Sequence, residues 1–306
     1  MQRVFITGGT GFFGKSILDY RLRHPEFLAD AGLTILSRDP AAFTAANPSL
    51  ANQPGVAFMQ GDICTFNFSS LQPLNFSTII HAATAAVTTL SDDEMHSTIV
   101  DGTRHVLEFA KACGAKRILF TSSGAVYGPQ TAAVDENAPT NPTTAYGRGK
   151  LAAERMCIES GVSTCITRCF AFTGPYLNRR IHYAIGNFIQ DCLDGKDIVI
   201  KGDGTPLRSY MYADDLVEWL FAVLERGEPG RPYNVGSPEG LSIRELAETV
   251  RKALGTENEI IVQGTPDPDQ PPSVYVPVTK RAETELGLRI TTSLTDAIRR
   301  SADRML

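Results

Sequence analysis

Two patterns of apolar and polar positions alternate over the first 170 residues of the chain. Six segments are short and almost continuously apolar, which is typical of parallel strands buried on both faces. These segments are Val4–Thr7, Leu33–Ser37, Val56–Gln60, Thr78–His81, Arg117–Ser122 and Cys165–Phe170. Helical patterns lie between them over Phe12–Arg23, Asp92–Ala112 and Tyr146–Glu159. This alternation predicts an α/β fold with a doubly wound parallel sheet and right-handed crossovers.

The pattern loosens after about residue 170, where turn-forming residues become frequent. Further helices are predicted over Ile185–Leu193, Asp214–Glu225 and Ile243–Ala253. The prolines of residues 264–277 indicate an extended surface loop. We expect residues 1–170 to form a first domain, to which a later segment at about 207–235 returns. Residues 171–306 are expected to form mainly a smaller α/β lobe.

A glycine-rich turn follows the first strand and leads directly into the first helix. Glycines recur in it at every third position, at Gly8, Gly11 and Gly14. A helix N-terminus presents free backbone N–H groups and a positive dipole end, and glycines let a pyrophosphate approach closely. A dinucleotide is therefore the leading ligand. The spacing differs from the general G-x-G-x-x-G pattern, so the segment alone is also compatible with an ordinary turn.

Tyr146 and Lys150 lie four residues apart on a predicted helix, which places them on one face. A nearby ammonium favours the phenolate and lowers the pKa of a tyrosine, which is otherwise about 10. Such a pair could exchange a proton with an alcohol or a carbonyl during hydride transfer. The same spacing also occurs on ordinary solvent-exposed helices. Upstream, a strand ends in the hydroxyl residues Ser122 and Ser123, at the edge where open α/β sheets bind ligands.

The composition narrows the classes of partner. The 306 residues carry a net charge of −5 with scattered Lys and Arg, which argues against nucleic acid or a membrane surface as partner. No apolar run approaches the roughly 18 residues that cross a bilayer. The six cysteines form no C-x-x-C pair and the five histidines show no ligand spacing, so we expect free thiols and no metal. With the first strand starting beside Met1, a cytoplasmic location is expected.

Six motifs in this order resemble the extended short-chain dehydrogenase/reductase superfamily, more narrowly its NAD-dependent epimerase/dehydratase family. They are Thr7–Gly14, Gly61–Asp62, His81–Ala83, Ser122–Gly128, Tyr146–Lys150 and Gly202–Tyr210. The resemblance covers nearly the whole chain. It implies a Rossmann-like first domain for the dinucleotide and a C-terminal lobe for the substrate, which in this family is mostly a nucleotide-diphosphate sugar. It also implies a homodimer formed through the helices Asp92–Ala112 and Tyr146–Glu159.

The resemblance further implies roles for individual residues. Tyr146 would be the general acid/base, Lys150 its partner and a ligand of the nicotinamide ribose, and Ser123 a ligand of the substrate oxygen. The cofactor's pyrophosphate would lie along Gly8, Gly11, Phe12, Phe13 and Gly14. Its adenine would lie at Asp62 and Ile63, and its ribose at Ala82 and Ala83. Its nicotinamide would lie near Phe170 and Thr173. Asn187 and Arg208 would hold the substrate diphosphate.

Two positions depart from the family pattern. Ile99 stands where many members carry asparagine, which puts that residue's role in a proton relay or helix distortion in doubt. At the end of the second strand, Ser37 occupies the position of the acidic residue that bonds the ribose of NAD, and Arg38 follows it. A guanidinium in place of a carboxylate suits a 2′-phosphate, so NADP(H) is favoured and NAD(H) is the alternative, with Asp39 weakening the argument.

The motifs permit more than one reaction. Ser123-Gly124-Ala125 lacks the carboxylates that a dehydratase uses to eliminate water. Because reductases exchange a phosphorylated cofactor, the cofactor prediction favours a 4-keto-sugar reductase. A nucleotide-sugar 4-epimerase that keeps NAD bound is the first alternative. A catalytically silent NAD(P)-binding sensor is the alternative from another class, against which the intact Tyr146, Lys150 and Ser123 argue.

Overall fold

The computed structural model describes residues 2–69, 75–84, 90–179 and 183–303. Its largest sheet has seven strands in the order β11-β6-β5-β4-β1-β2-β3. In chain order they are β1 (Gln2–Thr7), β2 (Ala31–Ser37), β3 (Val56–Gln60), β4 (Thr78–His81), β5 (Arg117–Ser123), β6 (Thr164–Cys169) and β11 (Pro232–Val235). The five pairs from β3 to β6 are all parallel. The carboxyl ends of these strands therefore share one edge, and the predicted Rossmann-like α/β class is confirmed.

Ten α-helices are found among the described residues. They are α1 (Phe12–Arg23), α2 (Pro40–Ala46), α3 (Pro48–Ala51), α4 (Asp92–Cys113), α5 (Ala145–Glu159), α6 (Ala184–Leu193), α7 (Ala213–Arg226), α8 (Ile243–Leu254), α9 (Lys280–Leu286) and α10 (Leu294–Ala302). Within the parts of the chain that the structure describes, none has the length and apolar character that a membrane crossing demands.

Side-chain caps set the start of several helices. The Ser91 hydroxyl oxygen accepts a hydrogen bond from the N–H of Glu94 at the start of α4, and the Glu94 carboxylate accepts one from the N–H of Ser91 at 2.8 Å. Ser242 and Glu245 form the same capping box on α8. Such caps satisfy backbone donors that the first turn leaves without helical partners. The capping box of Ser242 and Glu245 thus fixes where α8 begins.

The chain divides into two compact units. The first comprises Met1–Gly128, Pro139–Cys169 and Leu220–Tyr233. The segment that returns to it, Leu220–Tyr233, is shorter than the predicted segment 207–235. The core of this first unit includes a cluster of buried aromatic rings around Phe5, whose centroid lies 5.6 Å from that of Phe66 and 4.7 Å from that of Phe109. Burying large rings against the sheet supplies much of the free energy that holds such a unit together.

The second unit comprises Pro129–Ala138, Phe170–Trp219 and Asn234–Leu306. It contains the helices α6, α8, α9 and α10 and three small sheets. Their strands are β7 (Phe172–Thr173), β8 (Ile198–Ile200), β9 (Leu207–Arg208), β10 (Met211–Tyr212), β12 (Leu241–Ser242), β13 (Ile260–Val262) and β14 (Val274–Tyr275). The fully buried carboxylate of Asp215 accepts bonds from the N–H of Thr291 at 2.8 Å and that of Thr292 at 3.1 Å.

The predicted elements of the first 170 residues are all present, and their ends differ from the predicted ones by two residues at most. The expectation of a loop throughout residues 264–277 is wrong at β14, which pairs in parallel with β9. The sequence pattern also misses α2 and α3. Two-residue strands and helices of four or seven residues are too short to show a hydrophobic period, so only tertiary contacts define them.

Candidate active site

The glycine turn between β1 and α1 packs closely against the end of β4. Gly8 has a φ of +72°, and a Cβ built there would lie 2.5 Å from the carbonyl carbon of Ala82. A Cβ at Gly14 would lie 2.1 Å from the Cα of Gly9. These two positions therefore accept only glycine, because a side chain would meet backbone atoms that cannot move aside.

The start of α1 differs from the capped helices. Its N-cap residue is Gly11, which makes no side-chain cap in the described structure, and its first turn, Phe12, Phe13 and Gly14, carries no acidic residue. A Cβ at Gly11 would meet only the carbonyl oxygen of Gly8, at 3.4 Å. A phosphate at this end would meet backbone donors and a positive dipole, with no carboxylate of the first turn beside it. The residues present thus fit a dinucleotide pyrophosphate.

The other residues predicted to contact the cofactor follow the strand ends at the same sheet edge. Asp62 is exposed after β3, and its carboxylate accepts the N–H of Cys64 at 2.9 Å, so it shapes the turn that carries Ile63. Ala82 and Ala83 follow β4. The N–H of Ala82 donates to the Thr7 carbonyl oxygen at 3.2 Å, and the N–H of Ala83 donates to the Thr7 hydroxyl oxygen at 3.2 Å. These positions lie where a dinucleotide crosses an open α/β sheet.

The end of β2 presents an arginine. Ser37 is buried, and its hydroxyl oxygen accepts the N–H of Asp39 at 3.2 Å. Asp39 caps α2 by accepting the N–H of Ala42 at 2.9 Å. Arg38 between them is exposed. The Asp39 carboxylate, which argued against a 2′-phosphate beside Arg38, is therefore already hydrogen-bonded to the N-terminus of α2.

Lys150 is almost completely buried on α5. Its Nζ donates to the carbonyl oxygen of Thr121 in β5 at 2.7 Å and lies 5.9 Å from the ring centroid of Tyr146. Burial lowers the pKa of Lys150 to about 8, because the charged form loses its hydration, while Glu154 acts in the opposite direction. The helix thus holds an ammonium group beside the tyrosine ring, as the spacing of the two residues predicts.

Gly147 determines how closely the start of α5 approaches the end of β5. A Cβ at Gly147 would lie 2.7 Å from the carbonyl oxygen of Ala125, in the 3₁₀ turn Gly124–Tyr127. Ser123 begins that turn, and its hydroxyl oxygen accepts the N–H of Ala125 at 3.1 Å. Tyr146 stands next to Gly147, so this close contact ties the tyrosine to the turn that Ser123 caps.

A buried ion pair supports the same helix, and the sequence reasoning missed it. Glu154 accepts from Arg168 Nε at 3.1 Å and from Nη2 at 2.8 Å, and it also accepts the hydroxyl of Ser122. Arg168 donates further to the hydroxyl of Tyr127 at 3.1 Å. Bidentate pairing of this kind fixes orientation as well as charge. The signal available in the sequence was Glu154, one further helical turn along the face of Tyr146 and Lys150.

The remaining predicted residues belong to the second unit. Arg208 lies on β9, where its guanidinium donates to the carbonyl oxygen of Ser273 at 3.1 Å, and Asn187 lies on α6. The Thr173 hydroxyl lies 3.0 Å from that of Ser301, and the ring of Phe170 lies 4.8 Å from that of Tyr275. The proposed roles of these four residues in binding stay predictions.

The chain belongs to the NAD dependent epimerase/dehydratase family, whose model matches residues 4–236. UDP-glucuronic acid decarboxylase 6 of Arabidopsis thaliana is 30% identical over 283 residues, which cover 87% of this chain and 78% of the relative. UDP-glucose 4-epimerase of Streptomyces lividans is 28% identical over 316 residues, covering 93% and 90%.

Solved structures give the same fold. The crystal structure of UDP-glucuronic acid 4-epimerase from Bacillus cereus, in complex with UDP-glucuronic acid and NAD, aligns with a TM-score of 0.85 and 23% identity over 99% of this chain and 98% of its own. The UDP-glucose 4-epimerase of Thermotoga maritima aligns with a TM-score of 0.84 and 20% identity, over 99% and 98% of the two chains. At this identity the likeness concerns the fold alone.

Proposed function

We propose that this protein is a nucleotide-sugar 4-epimerase that works with NAD. The observation that carries the proposal is the buried Lys150 ammonium, held on the carbonyl of Thr121 beside the ring of Tyr146, on the helix packed against the turn of Ser123. Relatives and structural neighbours that are 4-epimerases support this function over the 4-keto-sugar reductase that the sequence favoured. Structures of two neighbouring proteins that contain NAD support that cofactor over NADP(H).

The chain's own groups would handle the proton. The Tyr146 phenolate takes the proton of the sugar hydroxyl as the carbon–oxygen bond becomes a carbonyl, and the same phenol gives a proton back when the hydroxyl is restored. The Lys150 ammonium stabilises the phenolate, and the Ser123 hydroxyl donates to the sugar oxygen. A bound nicotinamide supplies the acceptance and return of a hydride at the sugar carbon. If the keto sugar rotates so that its opposite face receives the hydride, the configuration at the hydroxyl-bearing carbon is inverted with no net oxidation.

Dehydratases and decarboxylases among the relatives support the same class of substrate. Gly124 and Ala125 follow Ser123, so no acid or base from these positions can eliminate water. The lack of an acid or base at these two positions favours inversion of a sugar hydroxyl over elimination of water.

One observation favours a second function. The exposed Arg38, with Asp39 engaged in capping α2, suits a 2′-phosphate and hence a 4-keto-sugar reductase that uses NADPH. Incubation of the purified protein with UDP-glucose, UDP-glucuronic acid and 4-keto nucleotide sugars, with each cofactor, separates the two functions. Interconversion of 4-epimers without net redox change supports the epimerase, and stoichiometric oxidation of NADPH supports the reductase. Neither reaction with any substrate would contradict both.

The proposal includes a homodimer through the outward faces of α4 and α5, where Ile158 is exposed. It also includes a cytoplasmic location, in keeping with the six cysteines, which are present as thiols in the described structure. Sedimentation equilibrium of the purified protein tests the first part, and a monomer at micromolar concentration would contradict it. Fractionation of the source cells tests the second.

A further inference from the structure

His81 ends β4 as a buried ring that bridges two hydroxyl groups. Its Nδ1 lies 2.8 Å from the Thr7 hydroxyl at the end of β1, and its Nε2 lies 3.1 Å from the Thr103 hydroxyl on α4. One imidazole on β4 therefore links β1 of the sheet to the helix α4.

The surrounding hydrogen bonds assign the tautomer of this imidazole. The Thr103 hydroxyl donates its one proton to the carbonyl oxygen of Ile99 at 2.7 Å, so it can only accept from Nε2. Nε2 therefore carries the proton, and Nδ1 accepts the proton of the Thr7 hydroxyl. The Thr7 hydroxyl oxygen in turn accepts the N–H of Ala83 at 3.2 Å, so both ring nitrogens and both hydroxyl groups of this network have partners.

The ring stays neutral over the physiological range. Burial, together with the Lys150 charge, lowers the pKa of His81 to about 3. The Thr121 hydroxyl donates to the carbonyl oxygen of His81 at 3.3 Å, and the Thr121 carbonyl accepts from Lys150. His81 is thus linked on one side to the glycine turn, through Thr7, and on the other side to β5, whose Thr121 carbonyl accepts a hydrogen bond from Lys150.

The two bonds of the ring lead to different places. Thr7 immediately precedes Gly8, and a Cβ at Gly8 would lie 2.5 Å from Ala82, so the gap between the glycine turn and the end of β4 has little tolerance. Thr103, in contrast, lies within α4. Only the Nδ1 bond acts on the edge where the dinucleotide would lie.

We propose that His81 is a positioning residue for the dinucleotide: its Nδ1, by accepting the Thr7 hydroxyl, holds the Gly8 turn at a fixed distance from Ala82 and Ala83. The inference rests on the dinucleotide-binding part of the proposed function. It assigns the effect to one nitrogen of the ring, which distinguishes it from a general contribution of a buried side chain to stability.

Two substitutions separate the two nitrogens. In His81→Asn the amide reaches the position of Nδ1 and its oxygen can still accept from Thr7, but the bond to Thr103 is lost. In His81→Gln the amide reaches the position of Nε2 and can still donate to Thr103, but the bond to Thr7 is lost. Each variant keeps one of two buried bonds, so both are expected to lose similar thermal stability.

The measurement is the Kd of NAD and of NADP for the purified full-length protein by isothermal titration calorimetry, with the melting temperature of each variant. We expect His81→Gln to raise the Kd of the preferred dinucleotide about tenfold relative to His81→Asn, since one hydrogen bond is lost on the binding edge. Equal Kd values for the two variants would overturn the inference. If the unaltered protein binds neither dinucleotide, the proposed function fails and this inference with it.

A second pair covers the case in which either His81 variant does not fold. Thr7→Val removes the donor to Nδ1 and, with it, the acceptor of the Ala83 N–H, whereas Thr103→Val removes the acceptor of Nε2. Both variants keep the side-chain shape. A higher Kd for Thr7→Val than for Thr103→Val supports the inference. The reverse order, or no difference, contradicts it.

Discussion

The Lys150 ammonium lies 2.7 Å from the carbonyl oxygen of Thr121, inside the first unit and out of contact with bulk water. This contact has an energetic cost. A buried ammonium loses hydration that one carbonyl and two aromatic rings only partly replace, since Nζ lies 5.0 Å and 5.9 Å from the ring centroids of Phe120 and Tyr146. The site therefore keeps its charge at the expense of stability.

The pKa of Lys150 gives this cost a pH dependence. The folded pKa of about 8 lies below the unfolded value near 10.4, so between these pH values the unfolded chain binds more protons. This residue's contribution to the free energy of unfolding should accordingly rise with pH from about 8 to 10.4. Urea melts of the unaltered protein and of Lys150→Met at pH 7 and pH 10 measure it. The stability of the unaltered protein relative to the variant should increase, and a constant difference would contradict the assignment.

Removal of the Tyr146 hydroxyl should greatly reduce turnover and leave the cofactor site intact. We expect Tyr146→Phe to lower kcat by about 10² to 10⁴, the usual contribution of a positioned acid/base group. The Kd of the dinucleotide should change little. Single-turnover kinetics and calorimetry measure the two quantities. A variant that keeps full activity would show that the protein acts by another group or is a binding protein.

Gly147 should tolerate no side chain, because its Cβ would lie 2.7 Å from the carbonyl oxygen of Ala125. Gly147→Ala should shift the start of α5 and lower kcat about tenfold or more, since a displacement of 1 Å suffices to impair positioned groups. Gly32→Ala is the matched control, because a Cβ there would meet nothing within 4 Å. Equal kcat values for the two variants would show that the contact does not position Tyr146.

Arg208 is expected to bind the diphosphate of the substrate. Arg208→Ala should weaken nucleotide-sugar binding by about tenfold or more, because a charged donor to phosphate is lost, and should leave dinucleotide binding nearly unchanged. Competition binding with UDP and with NAD distinguishes the two. Ser273→Ala is a useful comparison, since it removes only the hydroxyl that lies 3.3 Å from the guanidinium. If cofactor binding suffers more than UDP binding, the role assigned to Arg208 is wrong.

Arg38 allows a direct test of cofactor choice. If the exposed guanidinium binds a 2′-phosphate, Arg38→Ala should raise the Kd of NADPH about tenfold and leave that of NADH unchanged. Equal affinity of the unaltered protein for NADH and NADPH would remove the main argument for the reductase. A strong preference for NADPH would instead weigh against the epimerase proposal.

The amino-acid sequence determined by itself the elements and motifs whose signal is local. The period of apolar residues predicted the six strands from β1 to β6 and the helices α1, α4 and α5, because burial on both faces of a parallel sheet requires continuous apolar runs. Gly8 and Gly14 were recognisable because only glycine suits a turn with a positive φ or a backbone contact near 2 Å. Tyr146 and Lys150 shared a face through helical spacing alone.

The tertiary structure alone decided which groups meet across long distances in the chain. Nothing local indicates that Glu154 pairs with Arg168, that Lys150 donates to Thr121, or that the tautomer of His81 is set by Thr7 and Thr103. These contacts join strands and helices separated by 14 to 74 residues, so their partners depend on sheet order and helix packing rather than on any pattern within one segment. Short elements such as β14 exist only because a neighbouring strand supplies their hydrogen bonds.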